Sequence, residues 1–273
     1  MPQSGLTMED RALPAGGGDG GGGGNGGGDG GNAARWLRLG WADLWNRPVP
    51  SLLYGVIIFT ISWAIAGGLF VFDLSAYLFP ALAGFLIVGP ILALGLYDKS
   101  WRIENGKAVD AAAMFFVRAK STAQILFSGV LLCMLMLLWM RAAVILYALF
   151  FGLRPFLGLD QILPVMFTTI EGWALLAVGS AVGGLFAAFA FAVSVFAIPL
   201  LFDQRTDVFT AMAISMRSVW RNLGRMLPWG CVVVVLGVAS LLSGFLLMII
   251  VFPLLGHATW HAYRDTCDLS LLD

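Results

Sequence analysis

With 273 residues the chain is long enough for a globular domain, yet 59% of it is hydrophobic and only 12% charged, far below the charge of a typical soluble domain, about 25%. Acidic and basic residues cancel to a net charge of zero, which excludes the basic field of a nucleic-acid binder. The three cysteines, Cys133, Cys231 and Cys267, form no CxxC pair and no regular spacing; they give neither a disulfide framework nor a zinc knuckle and read as small buried hydrophobes.

Residues 1–32 form a glycine-rich cytoplasmic tail, expected to be disordered. From Gly16 to Asn32 only Asp19, Asn25 and Asp29 break the glycine run, and such a segment buries nothing while losing maximal backbone entropy on ordering. Its GxGxxG matches follow no strand and carry no nucleotide-binding meaning. No apolar stretch precedes the tail, so the first membrane helix is expected to act as its own insertion signal.

Residues 33–265 form the integral membrane domain, and 266–273 a short C-terminal tail. Ala33 to Arg47 is amphipathic: Trp36, Trp41 and Trp45 alternate with Arg35, Arg38 and Asp43, a pattern that suits a helix lying at headgroup level. Pro48 and Pro50 are expected to end it. Apolar spans follow at Ser51–Phe72, Tyr77–Tyr97, Gln124–Phe151 and Trp173–Phe202. The last block, Pro228–Leu255, is long for one span and short for two. If its helices extend into their flanks, with a turn at Ser240, Ser243 and Gly244, it is a hairpin. The expected fold is an all-α polytopic bundle of about six spans, with five as the alternative.

Basic residues gather before the first span, between the second and third, and between the fourth and fifth, whereas Arg154 stands alone on the other side beside Asp73, Asp160 and Glu171. The positive-inside rule then places the N-terminus in the cytoplasm. Each basic segment also has one plan: an aromatic amphipathic stretch, then a span opening on glycine. Trp41–Trp45 leads to Gly55, Phe115–Ala119 to Gly129 and Met216–Trp220 to Gly230 at identical spacing. Pro90, Pro199 and Pro253 sit near the returning ends. This pattern predicts three copies of an interfacial helix plus a hairpin, against the alternative of chance matches in a membrane sequence.

The segments Gly89–Tyr97, Ala148–Gly152 and Pro253–Asp265 resemble a family of predicted bacterial integral membrane proteins of unknown function, some of whose members are labelled cytochrome c oxidase subunit I. The resemblance runs roughly from Ala33 to Asp265, is most specific in the last motif and omits the glycine tail. It implies a bacterial inner-membrane location and transfers no catalytic residue.

His257, His261 and Asp265 stand four residues apart on one helical stripe, a spacing that lets two imidazoles share a metal. The competing reading is an interfacial anchor built with Trp260 and Tyr263, as Trp36, Trp41, Trp45 and Trp220 would be elsewhere. Haem ligation within one chain is excluded, because the only two histidines lie on one helix and axial ligands approach iron from opposite sides; no cofactor is expected. Arg141 interrupts the third span, where a charge is costly; it snorkels, pairs with Glu171 or Asp160 inside the bundle, or contacts a substrate. The prolines, Pro80 included, read as helix kinks and ends. No nucleophile–base pair or carboxylate dyad is visible. The leading expectation is therefore a non-enzymatic scaffold, assembly or lipid-associated module. A transporter or channel is the alternative, supported by the repeat and Arg141, and an interfacial metal-dependent enzyme is the second alternative. Expected partners are the lipid bilayer and other membrane proteins or further copies of the chain.

Overall fold

A computed structural model describes residues 30–74, 77–78, 81, 89–109, 114, 117, 119–152 and 159–267. Most of the glycine tail, most of the expected second span, Arg154, Phe115, Pro80 and the last six residues lie outside these. Among the described residues every regular element is a helix. Helix α1 (Gly30–Trp45) lies against the chain's last helix, and its inward stripe is Ala33, Trp36, Gly40, Asp43 and Leu44. Helix α2 (Pro48–Val71) opens on the two prolines expected to end α1. Helix α1 does end just before them, and they open α2 for a simple reason: proline lacks only a donor that a first helical turn leaves unpaired anyway, so it starts a helix more readily than it extends one. Arg47, between the two helices, adopts a left-handed backbone with φ 56°.

Helix α3 (Leu94–Glu104) follows the expected second span, and α4 (Thr122–Phe151) is the long third apolar run. Helix α5 (Leu159–Thr168), which contains Pro164, was not expected from the sequence. Thr169 then caps α6 (Ile170–Ser194) by accepting a hydrogen bond from the Gly172 amide at 3.0 Å. A break at Val195–Phe196 leads into α7 (Ala197–Asp203), where Pro199 sits in the first turn. Ser215 bridges that break: its Oγ accepts from the Phe196 amide at 3.1 Å and donates to the Ala192 carbonyl at 2.8 Å. Helix α8 (Val208–Arg221) is capped by Asp207, and α9 (Leu223–Leu242) and α10 (Met248–Thr266) follow. The ambiguous last block is thus two helices joined by a short turn around Gly244, which has φ 64°.

Among the described residues four helices are long and apolar enough to cross a membrane: Pro48–Val71, Thr122–Phe151, Ile170–Asp203 and Leu223–Leu242. Three of them bury little of themselves within the chain, whereas Ile170–Asp203 is largely buried toward its α7 end. On α4 only Ile125, Ser128 and Leu132 are buried, while Leu126, Val130, Leu137, Ile145 and Leu149 stand exposed. Cys133 and Cys231 also face outward, contrary to expectation, because these spans turn most of their surface away from the protein. Apolar faces this extended require a hydrocarbon solvent. The densest core sits instead at one end of the bundle, where Trp36, Tyr97, Phe196, Trp229, Trp260 and Tyr263 pack together.

The repeat has a structural counterpart. Pro48, Thr122 and Leu223, which open α2, α4 and α9, stand at one common offset from Gly55, Gly129 and Gly230. Each of these glycines faces the returning segment of another unit: Gly55 meets Ile249, Gly129 meets Ile91 and Gly230 meets Phe191. One register earlier, Gly40 abuts Ala258, Met114 abuts Gly95, and Ser215 bonds Phe196. Each unit's entry thus packs on a neighbour's return, cyclically.

The contacts differ in tolerance. A Cβ at Gly55 would run into the Ile249 backbone, whereas one at Gly67 meets open space. Gly55→Ala is therefore expected to destabilise the protein by about 1–3 kcal/mol and to lower its melting temperature in detergent, followed by circular dichroism; Gly67→Ala leaves it unchanged or slightly raises it.

Candidate functional site

The strongest concentration of polar chemistry lies in that dense end, between α1, α2, α3 and α10. Lys99 on α3 is fully buried, a rare state for lysine unless its charge is answered. Its ammonium carries three protons and has three acceptors: the Leu44 carbonyl at 3.3 Å, the Arg47 carbonyl at 3.0 Å and Ser51 Oγ at 2.7 Å. Leu44 belongs to the last turn of α1, whose carbonyls have no helical partner, so Lys99 caps that C-terminus with the charge its dipole favours. The same bond holds the carbonyl of the left-handed Arg47 at the corner into α2.

From Ser51 the hydrogen bonds continue in one direction. His257, also fully buried, meets Ser51 Oγ through Nε2 at 2.9 Å and Ser100 Oγ through Nδ1 at 2.8 Å. Ser51 receives a proton from lysine, which cannot accept one, so its own hydroxyl donates to Nε2. Nδ1–H then donates to Ser100, whose hydroxyl stands near the Asp43 carboxylate and favours its charged form. A neutral imidazole satisfies every step. Asp43 also meets His261 Nε2 at 2.8 Å. The outcome is an ion pair, Lys99 to Asp43, relayed through two hydroxyls and a ring.

The electrostatics agree with this assignment. Burial pushes the Lys99 ammonium down to about 8, with the nearby Asp43 carboxylate opposing the shift, so lysine is protonated at neutral pH. Burial works to raise Asp43, but hydrogen bonds from His261 and Ser100 and the nearby imidazoles outweigh it and hold the carboxyl below its ordinary value.

A second set of contacts ties the end of α10 to its neighbours. Asp265 pairs with Arg35 and accepts from Trp36 Nε1 at 3.1 Å. Glu104 accepts from Trp260 Nε1 at 3.2 Å and from Arg264 Nε at 3.2 Å. Asp203 accepts from the Tyr263 hydroxyl at 3.2 Å and lies 3.7 Å from Lys120.

The stripe read from sequence therefore exists, but its members face different partners. His257 turns to serines, His261 to Asp43 and Asp265 to α1. Among the described residues no group of three or more His, Cys, Asp or Glu side chains comes together as a metal set. Of the expected interfacial aromatics, Trp41, Trp45 and Trp220 are exposed, whereas Trp36, Trp260 and Tyr263 are core residues. Docking of α1 on α10 explains the division: Trp36 packs edge-on against Trp229 at 5.7 Å, while Trp41 and Trp45 occupy the opposite face. Arg141 and Glu171 are both exposed, and no ion pair joins them. Asp160 lies in the first turn of α5, but its side chain is outside the described residues.

Lys99, Ser51, Ser100 and Asp43 are absent from the sequence-level candidates. Lys99 reads as an ordinary loop cation after an apolar run, and single serines carry no spacing signal. Asp43 gave a hint, since it shares a helical stripe with Trp36 and Gly40.

These features define a helical integral membrane protein whose polar groups are concentrated at one end. Residues 78–203 match the family model described as predicted integral membrane protein, DUF2189. This is the kind of uncharacterised membrane family that the sequence motifs resemble; the matched stretch contains Gly89–Tyr97 and Ala148–Gly152 and stops short of Pro253–Asp265. No curated protein and no solved structure matches the chain.

Asp43 gives a pH prediction. Its folded value is depressed, so the stability it contributes is present above the unfolded value of 3.8 and fades as pH falls through the folded one. Unfolding midpoints measured between pH 3 and 7 are expected to fall steeply at the acid end in the wild type, and less steeply in Asp43→Asn, which starts from a lower midpoint at pH 7.

Proposed function

We propose that the chain is a non-enzymatic module of the bacterial inner membrane: three hairpins, six spans, both termini cytoplasmic, with a layer of interfacial helices latched onto the span ends. The carrying observation is that the buried relay is closed on itself. Lys99 donates all three of its protons within the protein, and both nitrogens of His257 are engaged. Ser51, Lys99 and His257 are fully buried. A serine beside a lysine and a histidine has the composition of a nucleophile with its base, but these atoms have no solvent-facing edge at which a substrate could meet them. Their role in this reading is mechanical: they fix α1 and the entry to α2 against α10.

The scaffold reading has further support in the exposed Trp41, Trp45 and Trp220, which suit headgroup level. The cytoplasmic assignment rests on the basic segments gathered at the ends of α1, α3 and α8.

Two measurements test it. Single cysteines placed in the N-terminal tail and after Cys267 should react with an impermeant maleimide only once the inner membrane is opened; labelling of either in intact spheroplasts rejects the three-hairpin arrangement. Proteoliposomes holding the purified protein should show no uptake above protein-free vesicles across a panel of ions, amino acids and sugars. A saturable flux abolished by Lys99→Met would replace the scaffold reading with a carrier.

A further inference from the structure

Helix α8 has two apolar faces and one polar flank. Val208, Ala211, Ile214, Ser215, Ser218 and Val219 are buried in the dense end. On the opposite side Phe209, Ala213, Met216 and Trp220 form one exposed stripe at helical spacing. Thr210, Arg217 and Arg221 line the flank beside that stripe. We propose that this outer face of α8 docks on an anionic phospholipid, with the apolar stripe at the acyl boundary and the Arg217 guanidinium on the lipid phosphate.

The ties at the two ends of α8 bring the arginine to headgroup level. At its start the Val208 amide donates to Gln124 Oε1 at 3.1 Å, and the Thr206 amide donates to Ser121 Oγ at 3.2 Å. Both acceptors stand at the opening of α4, where Lys120, Ser121, Thr122 and Gln124 are the last polar residues before its apolar run. At the other end only Asn222 separates α8 from α9, whose own apolar run begins after Arg225. Helices α4 and α9 are both long and apolar enough to cross the membrane, so α8 is strung between the points where two spans enter it. Its 14 residues reach about 21 Å, and with both ends at that level the helix lies along the membrane surface. Arg217, in its second half, is held there.

The occupant follows from what the stripe joins and what flanks it. Phe209 packs edge-on against Phe127 at 5.8 Å, and Phe127 stands with Leu126 and Val130 on the exposed face of α4. Trp220 is followed by the exposed Leu223 and Leu227 of α9. The stripe therefore continues two surfaces turned to hydrocarbon. Among the described residues no carboxylate pairs with Arg217. Ala42 and Phe116 stand at its offset in the other two units, so the repeat itself does not call for a cation here. A guanidinium beside such a stripe meets phosphate through paired donors, which lysine cannot reproduce, and a basic interfacial helix gains most from anionic lipid.

This inference rests on the interfacial helices proposed above but not on the latch or on the side the termini face, so the maleimide test can fail while this one holds, and the reverse. Two measurements on the full chain test it. With the three native cysteines replaced by alanine, a nitroxide on Ala213→Cys in liposomes of phosphatidylcholine and phosphatidylglycerol should be relaxed by oxygen more than by a water-soluble nickel chelate. In native mass spectrometry from dodecyl maltoside, Arg217→Gln should bind phosphatidylglycerol about fivefold more weakly than wild type, with Arg217→Lys between them. Equal binding by Arg217→Gln overturns the proposal. So does a nitroxide relaxed mainly by the nickel chelate, which would turn the stripe to water and leave it for a soluble protein. A dimer that Trp220→Ala dissociates would assign the face to a second copy and equally overturn it.

Discussion

An ammonium group taken fully out of water is tolerable only if each of its protons finds an acceptor and its charge an opposite. Lys99 meets both conditions, and the end of the molecule that holds the core is arranged around it. Two of its bonds terminate α1 and fix the corner into α2; the third enters the relay to Asp43, which returns to α1. The relay passes through His257, so α10 is bound into the same circuit. Remove any one member and the others remain buried with unmet valences, which is why the arrangement resists partial loosening.

The relay also accounts for an asymmetry within the repeat. Ser51 has Ile125 and Met226 at the equivalent positions of the other two units, both buried and apolar. Asp43 is matched by Val117 and Ser218. Of the three cyclic junctions, one is sealed mainly by packing, one adds the Ser215 bonds across the α6–α7 break, and one carries the charged relay. That one joins the last helix to the first, the closure with the greatest separation along the chain. Oily surfaces slide past one another in a membrane, where lipid tails compete on equal terms with side chains. A directional contact fixes register where packing alone fixes it poorly.

Much of this was legible in the sequence, for physical reasons. Spans announce themselves because hydrocarbon tolerates no unpaired backbone and few charges, so α2, α4 and the α6–α7 segment stood out as apolar runs. The hairpin of α9 and α10 was harder: α10 ends in His257, His261, Arg264 and Asp265, and its polar half disguised its length. The repeat was readable at Gly55, Gly129 and Gly230, because close helix contact admits only small residues. The relay was not readable. It joins residues about 200 positions apart, and nothing local distinguishes Lys99 from a headgroup-facing lysine or Ser51 from any serine in a span. The aromatics failed in the same way: Trp36 and Trp41 look alike in sequence, and only the docking of α1 makes one core and the other surface.

The most direct test of the account is a double-mutant cycle on the two charged ends of the relay. Lys99→Met, Asp43→Asn and the double variant would be compared with wild type by reversible unfolding in detergent micelles. The account predicts that the double variant is more stable than the summed single losses imply, by about 1 kcal/mol or more. Losses that add to within about 0.3 kcal/mol would mean that lysine and aspartate do not sense each other, and the relayed ion pair would be contradicted.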